Sequence, residues 1–164
     1  MTALDTALTP GLPLALLLAH LIGDFLLQPS AWVDDRRHHG RRSRRLVHHV
    51  LVHAGLSLLV LTLFALASPT ATLVSAVFAA LAIGASHWLI DLAKGRLDHR
   101  WPSRPLTIFI LDQALHGAII VMIWLFWSGS LAPLTQAAST ITSPKALGLL
   151  VAYVIVTRPM SIAI

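Results

Sequence analysis

Four long apolar runs, at about 12–28, 46–67, 71–93 and 106–128, alternate with short polar segments. Each run has roughly the length that carries a helix across ~30 Å of hydrocarbon, the first near the lower limit. The first opens with Pro13 and stops before Pro29, prolines placed where a helix tolerates them at its start and beyond its end. Ser68-Pro69-Thr70 predicts a minimal uncharged turn, and Gly129 to Lys145 reads as a loop. A fifth, shorter run at 146–164 is interrupted by Arg158-Pro159, which predicts either a span with a snorkelling arginine or a clipped one. The pattern predicts an all-α, polytopic transmembrane bundle of four to five spans, a single integral membrane domain over residues 1–164.

The apolar runs are broken at a repeated spacing. His20 and Asp24 lie four residues apart, as do His49 and His53, His87 and Asp91, and Asp112 and His116. On a helix that offset turns by only about 40°, so each pair projects from one face. If the spans alternate in direction, His20, His53, His87 and His116 fall roughly 10–15 Å below the basic edge of the membrane at the helical rise. Asp24, His49, Asp91 and Asp112 form a shallower layer, roughly 5–9 Å down by the same rise. Spans running in opposite directions thus bring their polar residues to the same depth.

Composition supports the membrane reading. The 164 residues are 56% hydrophobic and 12% charged, with a mean hydropathy of +0.76, too apolar for the surface of a soluble domain. Cysteine is absent, which removes disulfides, thiolate nucleophiles and cysteine-ligated metals. The net charge of +5 sits in gaps between the runs, a topology pattern and not a nucleic-acid surface. Six arginines fall between Trp32 and Arg45, and Lys94, Arg96, Arg100 and Arg104 follow the third run. The positive-inside rule puts these loops in the cytoplasm, against anionic headgroups, and the amino terminus outside. Met1 to Pro10 carries Asp5 and no lysine or arginine, so the first run is expected to stay as a span and not to be cleaved as a signal. Trp124 and Trp127 are expected to anchor the far end of the fourth span.

Ionisable groups in hydrocarbon cost about 2.5–3.5 kcal/mol each even on the lenient insertion scale, so Asp24, Asp91 and Asp112 require partners. No lysine or arginine lies within the four runs, with Lys94 at the edge, which leaves histidines or a bound cation. A cation held by imidazole and carboxylate would neutralise the aspartates and satisfy the ring nitrogens together. One such pair alone is ordinary interhelical hydrogen bonding; four at one depth favour a metal site. The candidate ligands are His20, Asp24, His49, His53, His87, Asp91, Asp112 and His116. Gln28 and Gln113 are candidate orienting donors, and Lys94 a candidate for a substrate phosphate. His48 points about 100° away from His49, and His38, His39 and His99 are expected to be solvated or lipid-facing. Gly23, Gly55, Gly84 and Gly117 would let helices approach closely.

His20-x-x-x-Asp24-Phe25-x-x-Gln28, the histidine pair of the second run, His87-x-x-x-Asp91-x-x-Lys94 and Asp112-Gln113-x-x-His116 occur in that order. Together they resemble a bacterial inner-membrane family known as a domain of unknown function, over about the first 120 residues. The resemblance implies a multi-pass membrane fold in the bacterial inner membrane and no particular activity; its members extend further at the carboxyl end, which implies a short or clipped member. The ligand style is similar, more loosely, to that of inner-membrane metal-dependent hydrolases.

These readings lead to a membrane metalloprotein holding one or two divalent transition ions. Mixed nitrogen and oxygen ligation suits zinc, manganese or iron. The expected chemistry is hydrolysis of a lipid-like ester or phosphoester near the cytoplasmic leaflet, with Asp24, Asp91 or Asp112 as general base. Two other classes use the same residues: an ion or proton path, and a non-catalytic scaffold whose polar layer fixes helix packing. The outer halves of the runs are nearly all apolar, which speaks against a continuous path.

Overall fold

A computed structural model describes residues 3–67, 71–129, 135, 138–140 and 143–149, with side chains from residue 11 onward. Among these there is no strand. Helix α1 spans Ala3–Leu21 and continues as a π-helical turn over Ile22–Leu26. Helix α2 follows at Ser30–His39, then α3 at Arg44–Ala67, α4 at Leu73–Arg100 and α5 at Pro105–Ser128. The chain divides into two compact units, Met1–Trp127 and Ser128–Ile164, and the five helices belong to the first, save the last residue of α5. The expected turn at 68–70 and nearly all of the expected fifth span at 146–164 lie outside the described residues.

Helices α3, α4 and α5 are each long and apolar enough to cross a membrane. The first run reaches that standard only together with α2, from which it is bent by 85°. Burial is inverted relative to a soluble protein. Leu14, Phe25, Leu51, Leu63, Phe78 and Phe126 are exposed, whereas His49, His53, His87, Asp91, Asp112 and His116 are buried. Helices α1, α3, α4 and α5 each hide a narrow stripe at helical spacing, most regular on α5, where Ile108, Asp112, His116, Ile120 and Trp124 recur every fourth residue. Apolar atoms therefore face outward, where lipid receives them at no cost, and the polar pairs are forced into the bundle.

Two boundaries differ from the sequence reading. The arginine-rich segment after the first span is not a loop: it is helical as α2, as a 3-10 turn over Gly40–Arg42 and as the start of α3. Its half-buried face carries Trp32, Val33 and Arg36 at helical spacing. The third span runs on to Arg100, so Lys94 and Arg96 are helical residues and not loop. Gly95 does not stop that helix; the chain turns at Trp101–Arg104 and Pro105 opens α5, its missing N–H costing nothing at a helix start. Thr72 and Ser75 close the start of α4 with a reciprocal capping box. Ser43 performs the same service for α3, accepting from the Leu46 amide at 2.9 Å while donating to Asp35. That hydroxyl holds the Asp35 carboxyl below its usual range. Trp124 is buried and not a lipid-facing anchor.

Small residues set the closest helix approach. A Cβ on Gly84 would lie 3.2 Å from the Ala54 Cβ, whereas Gly55 and Gly117 have nothing within 4 Å, so only the first of these three is needed for packing. Gly84→Leu is expected to lower stability by about 1–3 kcal/mol by wedging α3 from α4. Gly55→Ala should be neutral within about 0.5 kcal/mol. Denaturation of the two variants in one detergent compares them directly.

Candidate metal centre

The polar stripes of α1, α3, α4 and α5 meet at one level. The deeper layer is four imidazoles in ring contact: His53 stacks on His87 at 3.7 Å, and His116 lies 4.3 Å from His87 and 4.7 Å from His20. The coincidence of depth inferred from helical rise is thus realised as side-chain contact. Beside this layer stands Asp24, and its position depends on the π turn. A π turn adds one residue to a helix and swings the following side chains to a new face. Gly23 sits within it; a Cβ there would fall 2.5 Å from Cε1 and Nε2 of His53. Only a residue without a side chain lets the α1 backbone approach the His53 ring so closely.

Asp24, His49, His53 and His87 each offer one ligand atom, all within 4.8 Å of one another. Asp24 Oδ1 lies 3.0 Å from His53 Nε2, 3.2 Å from His49 Nε2 and 4.0 Å from His87 Nε2. His49 Nε2 and His87 Nε2 are 3.0 Å apart, a distance at which only one of them can carry the proton. A tetrahedral ion with bonds of about 2.0–2.1 Å separates its ligand atoms by about 3.4 Å, and an octahedral one by about 3.0 Å. Three of the four separations fall at that spacing. Hydrogen bonding satisfies the cluster only in part: His20 Nε2, His49 Nδ1, His53 Nε2, Asp112 Oδ1 and His116 Nε2 are buried without a hydrogen-bond partner among the described residues. Buried nitrogen and oxygen left in this state carry a cost that a cation would offset.

The remaining candidates take distinct places. Asp91 joins His87 and His116 in a second group within 4.8 Å. His20 Nε2 lies 3.4 Å from Asp24 Oδ2 and belongs to neither group, and Asp112 also lies outside both. Asp112 instead accepts from Lys94 at 2.7 Å and from Gln113 at 3.2 Å. Gln113 also donates to Asp24 Oδ2 at 3.3 Å, linking the two carboxylates. Gln28 is half-buried beyond the π turn, with no hydrogen bond to the cluster among the described residues. His48, His38, His39 and His99 are exposed.

Contrary to the sequence reading, histidines and a bound ion are not the only partners available to the aspartates. Arg36 reaches from α2 to Asp91 Oδ2 at 2.5 Å, and Lys94 to Asp112. Two of the three aspartates have protein cations, and Asp24 faces histidines and Gln113. Arg36 was hidden by its position in a run of arginines; the signal that could have found it is the Trp32, Val33, Arg36 spacing of an amphipathic helix. Beyond the histidine layer lies a cavity bounded by His20, His53, His87 and His116 with Ser57 and Ser86, with room for about one water molecule.

Gly23→Ala is expected to displace the His53 ring and destabilise the protein by more than about 1 kcal/mol, as overpacking does. In a His53→Ala background the same change should cost little, because the colliding ring is gone. A double-mutant cycle on detergent stability measures the coupling.

No curated protein and no solved structure matches the chain. A family model does match, over residues 12–146, further than the first 120 residues on which the sequence resemblance rested. By that match the chain belongs to the family described as "Protein of unknown function (DUF3307)".

Proposed function

We propose that this chain is a multi-pass protein of the bacterial inner membrane that holds a divalent transition ion between Asp24, His49, His53 and His87, and hydrolyses a lipid-like ester or phosphoester there. The observation that carries the reading is the convergence of three buried imidazole nitrogens and a half-buried carboxylate oxygen at coordination spacing, with His53 Nε2 left without a hydrogen-bond partner among the described residues. Zinc, manganese or iron suits three nitrogens and one oxygen. Such an ion supplies an activated water and a Lewis acid for an ester or phosphoryl oxygen.

The chain's own residues would do the rest. Gln113 orients Asp24 through its amide, the role of a donor behind a ligand. Asp24 is the most open of the candidate ligands, with 14% of its side chain exposed, so the centre is approached from the arginine-bearing end of the bundle. By the positive-inside rule that end is cytoplasmic, which puts the amino terminus outside and the substrate in the inner leaflet. Because Lys94 and Arg36 are engaged with Asp112 and Asp91, a substrate phosphate would meet the remaining arginines of α2 and the Gly40–Arg42 turn first. On the opposite side the stripe continues as Leu61, Ala65, Ala76, Ala80 and Ile120, an apolar seal that supports a closed site over an ion path.

Elemental analysis of detergent-purified protein tests the metal. About one ion per chain is expected, with His53→Ala and His87→Ala depleted and His48→Ala unchanged. Gln113→Ala should weaken metal affinity by about 10–100-fold. No metal in the wild type, with His87→Ala indistinguishable from it, would overturn the reading. For the chemistry, release of phosphate or fatty acid from a mixed bacterial lipid extract should stop on chelation and return with added ion. Metal without such turnover would leave the ion a structural one and refute the hydrolase.

A further inference from the structure

Asp91 stands between two environments. Its Oδ2 receives the Arg36 guanidinium on one side and lies 3.7 Å from Nε2 of both His49 and His87 on the other. With His87 and His116 it offers a set of three ligand atoms within 4.8 Å of one another, from residues 1–4% exposed. The protonation of His116 is settled by its neighbour: Nδ1 lies 2.9 Å from the backbone carbonyl of Asp112, which can only accept. Nδ1 therefore carries a proton, and in the neutral ring Nε2 presents a bare lone pair, buried and with no hydrogen-bond partner among the described residues. An imidazole whose far nitrogen donates to a carbonyl while the near one is free is arranged as a metal-ligating histidine is.

The cation at Asp91 does not come from this bundle wall. Arg36 belongs to α2, which is joined to its neighbours by the bend before Ser30 and by Gly40, whose φ of +51° marks a sharp turn. We propose that His87, Asp91 and His116 form a second divalent-cation position, and that Arg36 fills it in place of an ion. Guanidinium and metal compete for one carboxylate: both neutralise Asp91, and they cannot do so together. The inference deepens the metal reading above, with which it shares His87, but it rests on His116 and Arg36, which that reading does not use.

Zinc content and cobalt spectroscopy of the purified full chain test it. Arg36→Gln removes the resident charge and leaves Asp91 a buried, unpaired carboxylate. One ring nitrogen of His87 serves only one ion, so the variant is read in a His53→Ala background, where the first centre is disabled and zinc content should rise from near none to about one ion per chain. In that background Arg36→Lys should stay near none, and adding His116→Ala to Arg36→Gln should return the count to it. The gain is read there even if the first centre proves not to bind metal. Folded His53→Ala/Arg36→Gln protein with no more zinc than His53→Ala overturns the proposal. Should the Arg36→Gln variants not fold, cobalt titration of His53→Ala decides. A weak absorption change that disappears in His53→Ala/His116→Ala is expected, and its absence overturns the proposal.

Discussion

The structure depends on the cost of placing imidazoles and carboxylates where water cannot reach them. Each such group on a lone helix in lipid is unfavourable by a few kcal/mol, so the helices gain by turning those faces toward one another. Hydrophobic burial cannot drive this assembly, because lipid tails accept leucine as readily as a protein core does. What brings α1, α3, α4 and α5 into register is the gathering of His20, His49, His53, His87, His116 and the three aspartates away from lipid, helped by close contact at Gly84 and Gly23. The wide exposure of leucine, valine and phenylalanine around this centre is the other half of the same balance.

Within the cluster the partners are divided unequally. Asp91 and Asp112 have protein cations, Arg36 and Lys94, and would remain neutralised without any ion. Asp24 has three imidazoles within 4.0 Å of its Oδ1 and Gln113 on its Oδ2, but no lysine or arginine. Imidazoles that share one carboxylate oxygen and approach each other to 3.0 Å compete for protons. A cation at their common focus removes that competition, so the Asp24 side of the cluster is where an ion would be bound most strongly. The π turn serves the same end. It breaks the regular ladder of α1 to carry Asp24 into the ring of histidines, a local backbone cost of the kind found at functional sites.

Much of this was legible in the chain itself. Apolar runs separated by basic segments specify membrane helices without reference to contacts, because the bilayer imposes length and polarity on each span independently. The four-residue spacing of His20 with Asp24, His49 with His53, His87 with Asp91 and Asp112 with His116 places each pair on one face, and helical rise alone brings their depths together. Both are properties of a single helix, and single-helix properties are readable from a one-dimensional pattern.

What the tertiary structure decided concerns relations between elements. Whether Arg36 is solvated or returns to Asp91 depends on the 85° bend between the first run and α2, and composition alone marks it as one arginine among six. That Lys94 belongs to Asp112, that Gly23 and not Gly55 or Gly117 admits a ring, and that Trp124 turns inward all depend on rotation and crossing of helices about one another. Rotation about a helix axis changes no residue's depth and no spacing along the chain. It leaves no trace in the sequence pattern, and only packing fixes it.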